Sequence, residues 1–179
     1  IMADGTLKVG QITTSSGSGT ITIPDAVTVS SASLSNTPAF QAVRTSDQSI
    51  ANTTWTKVQF QTENFDTNST YDNSSNYRFT PAVAGKYYIY TQVRMGGLSA
   101  DIFYASIYKN GATWLDIRNG SDTSGDYVLT GAAIDTADSN DYYEVFVYQN
   151  SGGALNVNGY SDAALRIYTG FGAYRVIGA

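Results

Sequence analysis

Apolar and polar side chains alternate over several strand-length segments of this chain. Residues 87–94, 103–108 and 142–148 follow a period of two, with odd-numbered positions on one face and even-numbered positions on the other. No window of the sequence shows the helical period of an amphipathic helix. The pattern predicts an all-β chain, an antiparallel two-sheet sandwich of about eight to ten strands.

Tight-turn signals separate the alternating segments. Asn110-Gly111, Asn119-Gly120 and Asn158-Gly159 are pairs in which both residues tolerate positive φ. Such pairs favour short connections between neighbouring antiparallel strands. The turn chemistry therefore agrees with the sandwich that the alternation predicts.

The second face of segment 142–148 carries aromatic side chains. Tyr142, Phe146 and Tyr148 occupy it, while Tyr143 stands on the other face. A sheet face that remains in water is normally polar. The pattern therefore indicates burial of this second face against another subunit.

Several short motifs occur in a fixed order along the chain. Pro38-Ala-Phe-Gln-Ala-Val-Arg44 is followed by Tyr71-Asp72, Phe79-Thr-Pro81 and Gly85-Lys-Tyr-Tyr-Ile-Tyr90. Later motifs are Ile107-Tyr-Lys109-Asn110-Gly111, Asp141-Tyr-Tyr-Glu-Val-Phe-Val-Tyr148 and Phe171-Gly-Ala-Tyr174-Arg175-Val176. Together, over residues 38 to 176, they resemble the globular head of complement component 1q and its tumour-necrosis-factor relatives.

The resemblance implies a jelly-roll sandwich that works as a trimer and that binds partners rather than catalysing reactions. It places the head in residues 38–179. Two positions depart from the family pattern. Ala173 stands where the closing motif has glycine, and Asn76-Tyr77-Arg78 replaces the glycine expected before Phe79. These departures affect local turns rather than the fold class.

Composition limits the chemistry that the chain can perform. Its 179 residues include no cysteine and no histidine, and the net charge is −5. Without histidine the usual general base and a common metal ligand are missing, and without cysteine there is no thiolate site. An acidic surface also disfavours nucleic acid and anionic membranes. We therefore expect a protein that is not an enzyme, does not bind nucleic acid and does not insert into membranes.

Carboxylates leave one catalytic alternative open. A pair of them is able to cleave a glycosidic bond, but nothing in their spacing selects a pair, and turn residues are the simpler interpretation. The candidates are Asp116, Asp122, Asp126, Asp135, Asp138, Asp141, Glu144 and Asp162.

An oxygen-rich loop raises the question of calcium. Asp135, Asp138, Asn140 and Asp141 supply the ligand type that hard cations prefer, although their spacing matches no regular calcium motif. The resemblance adds that some relatives hold calcium near the trimer axis. No cofactor is expected otherwise.

Aromatic residues near turns are the candidates for recognition. Tyrosine and tryptophan offer large rigid contact areas, and small polar neighbours add hydrogen bonds. Trp114, Tyr127, Tyr160 and Asp162 form the predicted sugar-stacking rim. The alternative is that Trp114 and Tyr127 pack in the core or in a subunit interface.

Residues 1–37 differ from the rest of the chain. Two short strand-like runs surround a tip of serine and glycine, and too few apolar residues are present for a separate core. We interpret the segment as a β-rich shaft or anchor that attaches to other proteins. A flexible linker is the alternative.

The leading functional hypothesis combines these features. The sequence shows neither a charged-then-apolar export signal nor an apolar run of membrane-spanning length. A virion protein, released by lysis, satisfies this condition. We expect a bacteriophage tail fibre, spike or capsid fibre that is located on the virion surface and binds a host glycan or protein. The alternatives are a structural capsid decoration or tail adaptor, and a secreted lectin-like module.

Overall fold

The predicted antiparallel sandwich is present in the computed structural model, which describes residues 36–118, 123–160 and 166–176. Within those ranges all regular structure is β-strand. The strands are β1 Ala39–Val43, β2 Gln48–Ile50, β3 Thr56–Lys57, β4 Thr62–Asp66, β5 Tyr71–Asp72, β6 Arg78–Phe79, β7 Gly85–Asp101, β8 Phe103–Lys109, β9 Ala112–Arg118, β10 Thr123–Ala137, β11 Tyr143–Gln149, β12 Leu155–Val157 and β13 Gly170–Arg175.

Two antiparallel sheets divide these strands. The seven-stranded sheet runs β2-β12-β7-β13-β1-β4, with β10 paired to β7. The six-stranded sheet runs β5-β6-β11-β8-β9, with β3 paired to β11. In both sheets, strands that are distant in sequence become neighbours, as β1 and β13 do, which is the connectivity of a jelly roll.

The two faces of the alternating segments are present as predicted, and the odd-numbered residues face the core. Tyr87, Ile89 and Val93 of β7 are fully buried, and so are Phe103, Ala105 and Ile107 of β8. Tyr143, Val145 and Val147 of β11, which pairs with β8 in the six-stranded sheet, are also fully buried. Each buried aromatic or branched side chain contributes about 1.5–3 kcal/mol of hydrophobic stabilisation.

Rings from separate sequence motifs meet at the centre of this core. Phe40 of β1 packs against Tyr71, Phe79 and Phe171, with ring centroids 4.8, 4.7 and 5.1 Å away. Phe79 also contacts Tyr87 at 5.7 Å. The aromatic motif positions are therefore the contacts that hold the two sheets together.

The motif arginine Arg44 has a structural role. It is buried, and its guanidinium donates hydrogen bonds to the carbonyl oxygens of Ser46, Asp47 and Gln59. Burial lowers its pKa, and the nearby Asp47 carboxylate opposes that shift. The side chain thus ties the loop after β1 to the segment before β4.

The two departures from the family pattern are accommodated locally. Ala173 is 1% exposed and lies opposite Phe40 and Ile89, so its methyl group adds to the core. Tyr77 adopts a φ of +50°, the left-handed conformation that glycine adopts at lower cost. The chain therefore retains the turn before Phe79 without the glycine.

The predicted anchor, residues 1–37, lies almost entirely outside the described residues, and its boundary with the head stays a prediction. In the part of the chain that the structure describes, no helix is suited to crossing a membrane.

Candidate functional site

The outward side of the seven-stranded sheet carries a group of tyrosines, which we name the tyrosine face. Tyr88 of β7 lies opposite Tyr174 of β13, with ring centroids 5.3 Å apart. Tyr90 follows on the same side of β7, 6.0 Å from the Tyr88 ring. On the other edge of β7, Ile134 of β10 stands opposite Tyr88 and is 59% exposed. Three adjacent strands therefore present rings and an aliphatic side chain to solvent.

Tyr90 is held in a defined position on this face. Gln41 donates a hydrogen bond from Nε2 to the Tyr90 hydroxyl at 3.0 Å, and Asn64 donates to Gln41 Oε1 at 2.8 Å. Gly172 lies between Gln41 and Tyr90 in the sheet, where a Cβ atom would collide with the Tyr90 ring. Burial raises the pKa of Tyr90, with the Gln41 hydrogen bond opposing the shift. The absence of a side chain at Gly172 thus allows the ring to lie flat across the sheet.

Large apolar side chains are concentrated on the tyrosine face. Seven are exposed among the described residues, and five of these lie on this side of the sheet. A groove of about 590 Å³ crosses the face, and no charged side chain lines it. Exposed apolar side chains that gather on one side of a protein commonly mark an interaction surface. The five side chains are Phe65, Val128, Ile134, Ile167 and Tyr174.

Trp114, predicted as a sugar-binding ring, points towards the core. It packs against Tyr143 with the rings edge to face at 5.7 Å. A register shift between Ile107 and Tyr108 brings Thr113, rather than Trp114, opposite Tyr108. Because one residue of shift moves a side chain to the other face of a strand, the bulge turns Trp114 inward.

The other residues of the predicted rim have different neighbours. Tyr127 is partly buried and packs against the core. The ring centroids of Tyr160 and Tyr168 lie 4.3 Å apart, and the Arg94 guanidinium stands over the Tyr168 ring, 4.1 Å from its centroid. Asp162 lies outside the described residues. Trp114 and Tyr127 are partly buried against the core, and the use of Trp114, Tyr127, Tyr160 and Asp162 in recognition stays a prediction.

The oxygen-rich loop is organised around a lysine. Lys109 Nζ lies 2.7 Å from Asp135 Oδ2 and 2.9 Å from Asp141 Oδ2, and it also donates to the Thr136 carbonyl. Asn110 donates to Asp141 Oδ1 at 2.7 Å. Within the described ranges, no group of three or more acidic, histidine or cysteine side chains is placed to hold a metal ion. The calcium site stays a prediction, but the ammonium group already occupies the space between two of its ligands.

The pKa values in this loop follow from the same contacts. Burial alone would lower the pKa of Lys109, but the hydrogen bonds to Asp135 and Asp141 outweigh it and raise the pKa. For Asp141, burial would raise the pKa, but hydrogen bonds from Asn110, the Asp138 backbone and Lys109 lower it. Both shifts favour the charged forms. The cluster is therefore an ion-pair network that closes the end of the sandwich.

The sequence signal for the tyrosine face was present in the alternation. Tyr88, Tyr90 and Gln92 occupy the even positions of segment 87–94, opposite the buried set. The alternation does not show that Ile134 and Tyr174 join them, since that depends on the pairing of β7 with β10 and β13. Turn positions therefore gave less information about the exposed aromatic surface than the even strand positions did.

Comparisons with known proteins address the fold. No protein-family model matches the chain, and no curated protein matches its sequence. The globular domain of zebrafish complement 1qA matches with a TM-score of 0.54 and 19% identity, covering 78% of this chain and 97% of that one. Eiger TNF from S. frugiperda matches with a TM-score of 0.60 and 12% identity, covering 79% of this chain and 93% of that one. Murine APRIL matches with a TM-score of 0.53 and 14% identity, covering 77% of this chain and 98% of that one. At these identities the likeness shows the fold, which is the jelly roll of complement-1q-like and TNF-like domains.

Proposed function

We propose that this chain is a non-catalytic binding head that assembles as a homotrimer on the surface of a bacteriophage virion, as a tail fibre, spike or capsid fibre. The tyrosine face is the observation that carries the proposal. It combines exposed Ile134 and Tyr174 with an uncharged groove. Covering it with a second copy removes apolar surface from water without burying a charge.

A ring of three copies suits the shape of this face. In a cyclic trimer each interface joins two different parts of the same surface, so that a protrusion on one copy meets a depression on the next. The exposed side chains of Tyr174 and Ile134 lie on either side of Tyr88, which lines the groove together with Gln41, Tyr90 and Ala132. Ridge and groove on one sheet supply both partners of such a contact. The complement-1q-like fold and the trimer implied by the motifs support the same number of copies.

The chemistry of the side chains supports the non-catalytic role. The sequence contains no histidine and no cysteine. Glu144 is engaged by Lys57 and Arg78, and Asp135 by Lys109, so that these carboxylates serve as ion-pair partners. We place residues 1–37 at the attachment to the particle, and the head at its outer end, where three equivalent sites add weak host contacts by avidity.

The association step is tested by measuring mass in solution. Sedimentation equilibrium of the full chain should give three times the chain mass of 19.2 kDa. Ile134→Glu places a charge in the proposed interface and should reduce the mass to that of one chain, because burying an unpaired charge costs several kcal/mol. Val83→Glu is the matched control, since Val83 is also exposed but lies in the loop before β7. A wild-type monomer, or equal effects of both variants, would contradict the trimer.

The binding role is tested on cells. Fluorescently labelled wild-type chain should bind saturably to the bacterium that the parent particle infects. The monomeric Ile134→Glu variant should bind about a hundredfold more weakly, because avidity is lost. A wild-type trimer that does not bind these cells would favour the decoration or adaptor role over a receptor-binding head.

A further inference from the structure

The outward side of the six-stranded sheet carries a second group of rings, which we name the aromatic cluster. It consists of two stacked pairs and a bridging tryptophan. Tyr104 and Tyr148 lie 6.0 Å apart at an interplanar angle of 21°, and Tyr108 and Phe146 lie 4.3 Å apart at 29°. Trp55 contacts both pairs, at 5.6 Å from Tyr148 and 6.2 Å from Tyr108. The five rings come from β8, β11 and the residues just before β3.

The aromatic cluster is ordered although it is partly exposed. Trp55 is 36% exposed, and the other four rings are half-buried. Below them Ser106 is fully buried, and its hydroxyl donates to the Leu115 carbonyl at 3.0 Å. Because stacking fixes the rings before any ligand arrives, little side-chain entropy is lost on binding.

Charged side chains lie beside the aromatic cluster in pairs of opposite sign. Arg118 stands over the Tyr104 ring at 4.9 Å and bonds Asp116 at 2.8 Å. Lys57 stands 5.8 Å from the Phe146 ring and bonds Glu144 at 2.6 Å. Arg78 bonds the same Glu144 at 3.0 Å and lies opposite Asp72 in the sheet. The basic and acidic groups named here are equal in number, and the exposed pair of Asp116 and Arg118 offers a hydrogen-bond acceptor and a donor beside the rings.

We propose that the aromatic cluster binds an uncharged saccharide of the cell surface. The inference rests on the proposed binding function and assigns its ligand to this face, for which the alternation of segment 142–148 alone indicated a second subunit. The C–H bonds of a sugar ring pack on aromatic rings, and its hydroxyl groups bond to charged or polar side chains at the edge. Asp116 and Arg118 are both exposed and supply an acceptor and a donor beside Tyr104.

Charge balance selects this ligand among the alternatives. An anionic glycan would meet no excess of positive charge on this face, in a chain whose net charge is −5. A purely apolar partner would cover Asp116 and Arg118 without replacing their contacts with water. A neutral polyhydroxylated ring satisfies both the aromatic surface and its polar border.

Tryptophan fluorescence gives a direct test, because the chain contains only Trp55 and Trp114. Trp114→Phe leaves Trp55 as the single reporter and preserves an aromatic ring against Tyr143. We would titrate this variant with neutral oligosaccharides of glucose, galactose, mannose and N-acetylglucosamine, with polygalacturonate as the anionic comparison. A saturable change in Trp55 emission with a neutral sugar, and none with polygalacturonate, is the expected result.

Variants then locate the site, with calorimetry as the readout. Trp55→Ala and Tyr148→Ala should each weaken binding about tenfold or more, as removal of a central aromatic side chain does in other binding sites. Trp55→Phe should restore part of the affinity. Tyr174→Ala, on the tyrosine face, should leave the affinity of each single site unchanged.

Several results would overturn the assignment. These are no binding of any neutral sugar, preference for polygalacturonate, or binding that survives both Trp55→Ala and Tyr148→Ala. Cell adsorption separates this failure from that of the proposed function. A chain that adsorbs to cells without binding sugar refutes only the saccharide, whereas a trimer that does not adsorb refutes the receptor-binding role.

Discussion

The outward faces of the two sheets both carry aromatic rings, but they differ in what surrounds the rings. On the tyrosine face Tyr88, Tyr90 and Tyr174 border a groove without charged side chains. On the aromatic cluster, Trp55 and its neighbours are bordered by the Arg118–Asp116 and Lys57–Glu144 pairs. Rings beside an uncharged groove suit a surface from which a second protein copy excludes water. Rings bordered by charged pairs suit a hydroxylated ligand, which forms hydrogen bonds with those charged groups. The charges around the rings, more than the rings themselves, therefore distinguish the partners that we propose for the two faces.

Among substitutions outside the hydrophobic core, the largest expected effect concerns the ion pairs beneath the aromatic cluster. Glu144 is 4% exposed, and its Oε1 bonds both Lys57 and Arg78. Glu144→Gln should lower the free energy of unfolding by about 2 kcal/mol, since it leaves two cations without a counter-charge. Urea unfolding at a fixed protein concentration measures this loss. Asp116→Asn alters the exposed Asp116–Arg118 pair and should leave the free energy of unfolding unchanged. Equal losses in Glu144→Gln and Asp116→Asn would refute the expected difference between the buried and the exposed pair.

Sequence reasoning predicted the fold because the fold depends on local alternation and on a few rings. The odd positions of β7, β8 and β11 are buried as expected, and motif residues Phe40, Phe79 and Phe171 meet in the core. Hydrophobic periodicity records which side of a strand faces the core, whatever its neighbours are.

The surface was harder to predict because it depends on strand pairing and on a bulge. Trp55 precedes a strand of two residues, too short for alternation, and it reaches Tyr148 only because β3 pairs with β11. Trp114 was assigned to a ligand rim, but the register shift after Ile107 packs it against Tyr143. Lys109 was not assigned to the acidic loop because Asp135 lies 26 positions away in the sequence.

A substitution on the tyrosine face gives the next largest effect. In Gly172→Ala the new methyl group would collide with the Tyr90 ring and lie 2.9 Å from the Phe40 carbonyl oxygen. Tyr90 must move and lose its bond to Gln41, at a cost of about 1–3 kcal/mol, and trimer mass should fall at micromolar concentration. Gly153→Ala is the control, because nothing lies within 4 Å of a Cβ at that position. If Gly172→Ala left the trimer mass unchanged, Tyr90 would not be part of the interface.

The charged side chains around Lys109 belong to neither the tyrosine face nor the aromatic cluster. A substitution there therefore tests the stability of the fold separately from the two faces. The pKa of Asp141 is lowered in the folded chain, so its contribution is present above about pH 4 and is lost as the pH falls further. The raised pKa of Lys109 preserves its contribution up to alkaline pH. Asp141→Asn should remove about 1 kcal/mol at pH 7 and progressively less as the pH falls below about 4 through the lowered pKa of Asp141, measured by urea unfolding. A loss of the same size at pH 2 would show that packing, rather than charge, is responsible.

The smallest expected effect on stability sharpens the comparison most directly. Trp55 is 36% exposed, and its ring neighbours Tyr108 and Tyr148 are themselves half-buried. Trp55→Ala should therefore lower the free energy of unfolding by about 1 kcal/mol or less and leave the trimer mass unchanged, although it weakens saccharide binding. Phe40→Ala, in the core, should cost about 3–5 kcal/mol in the same urea experiment. If Trp55→Ala were as damaging as Phe40→Ala, the aromatic cluster would be part of the core, and its exposure would carry no functional meaning.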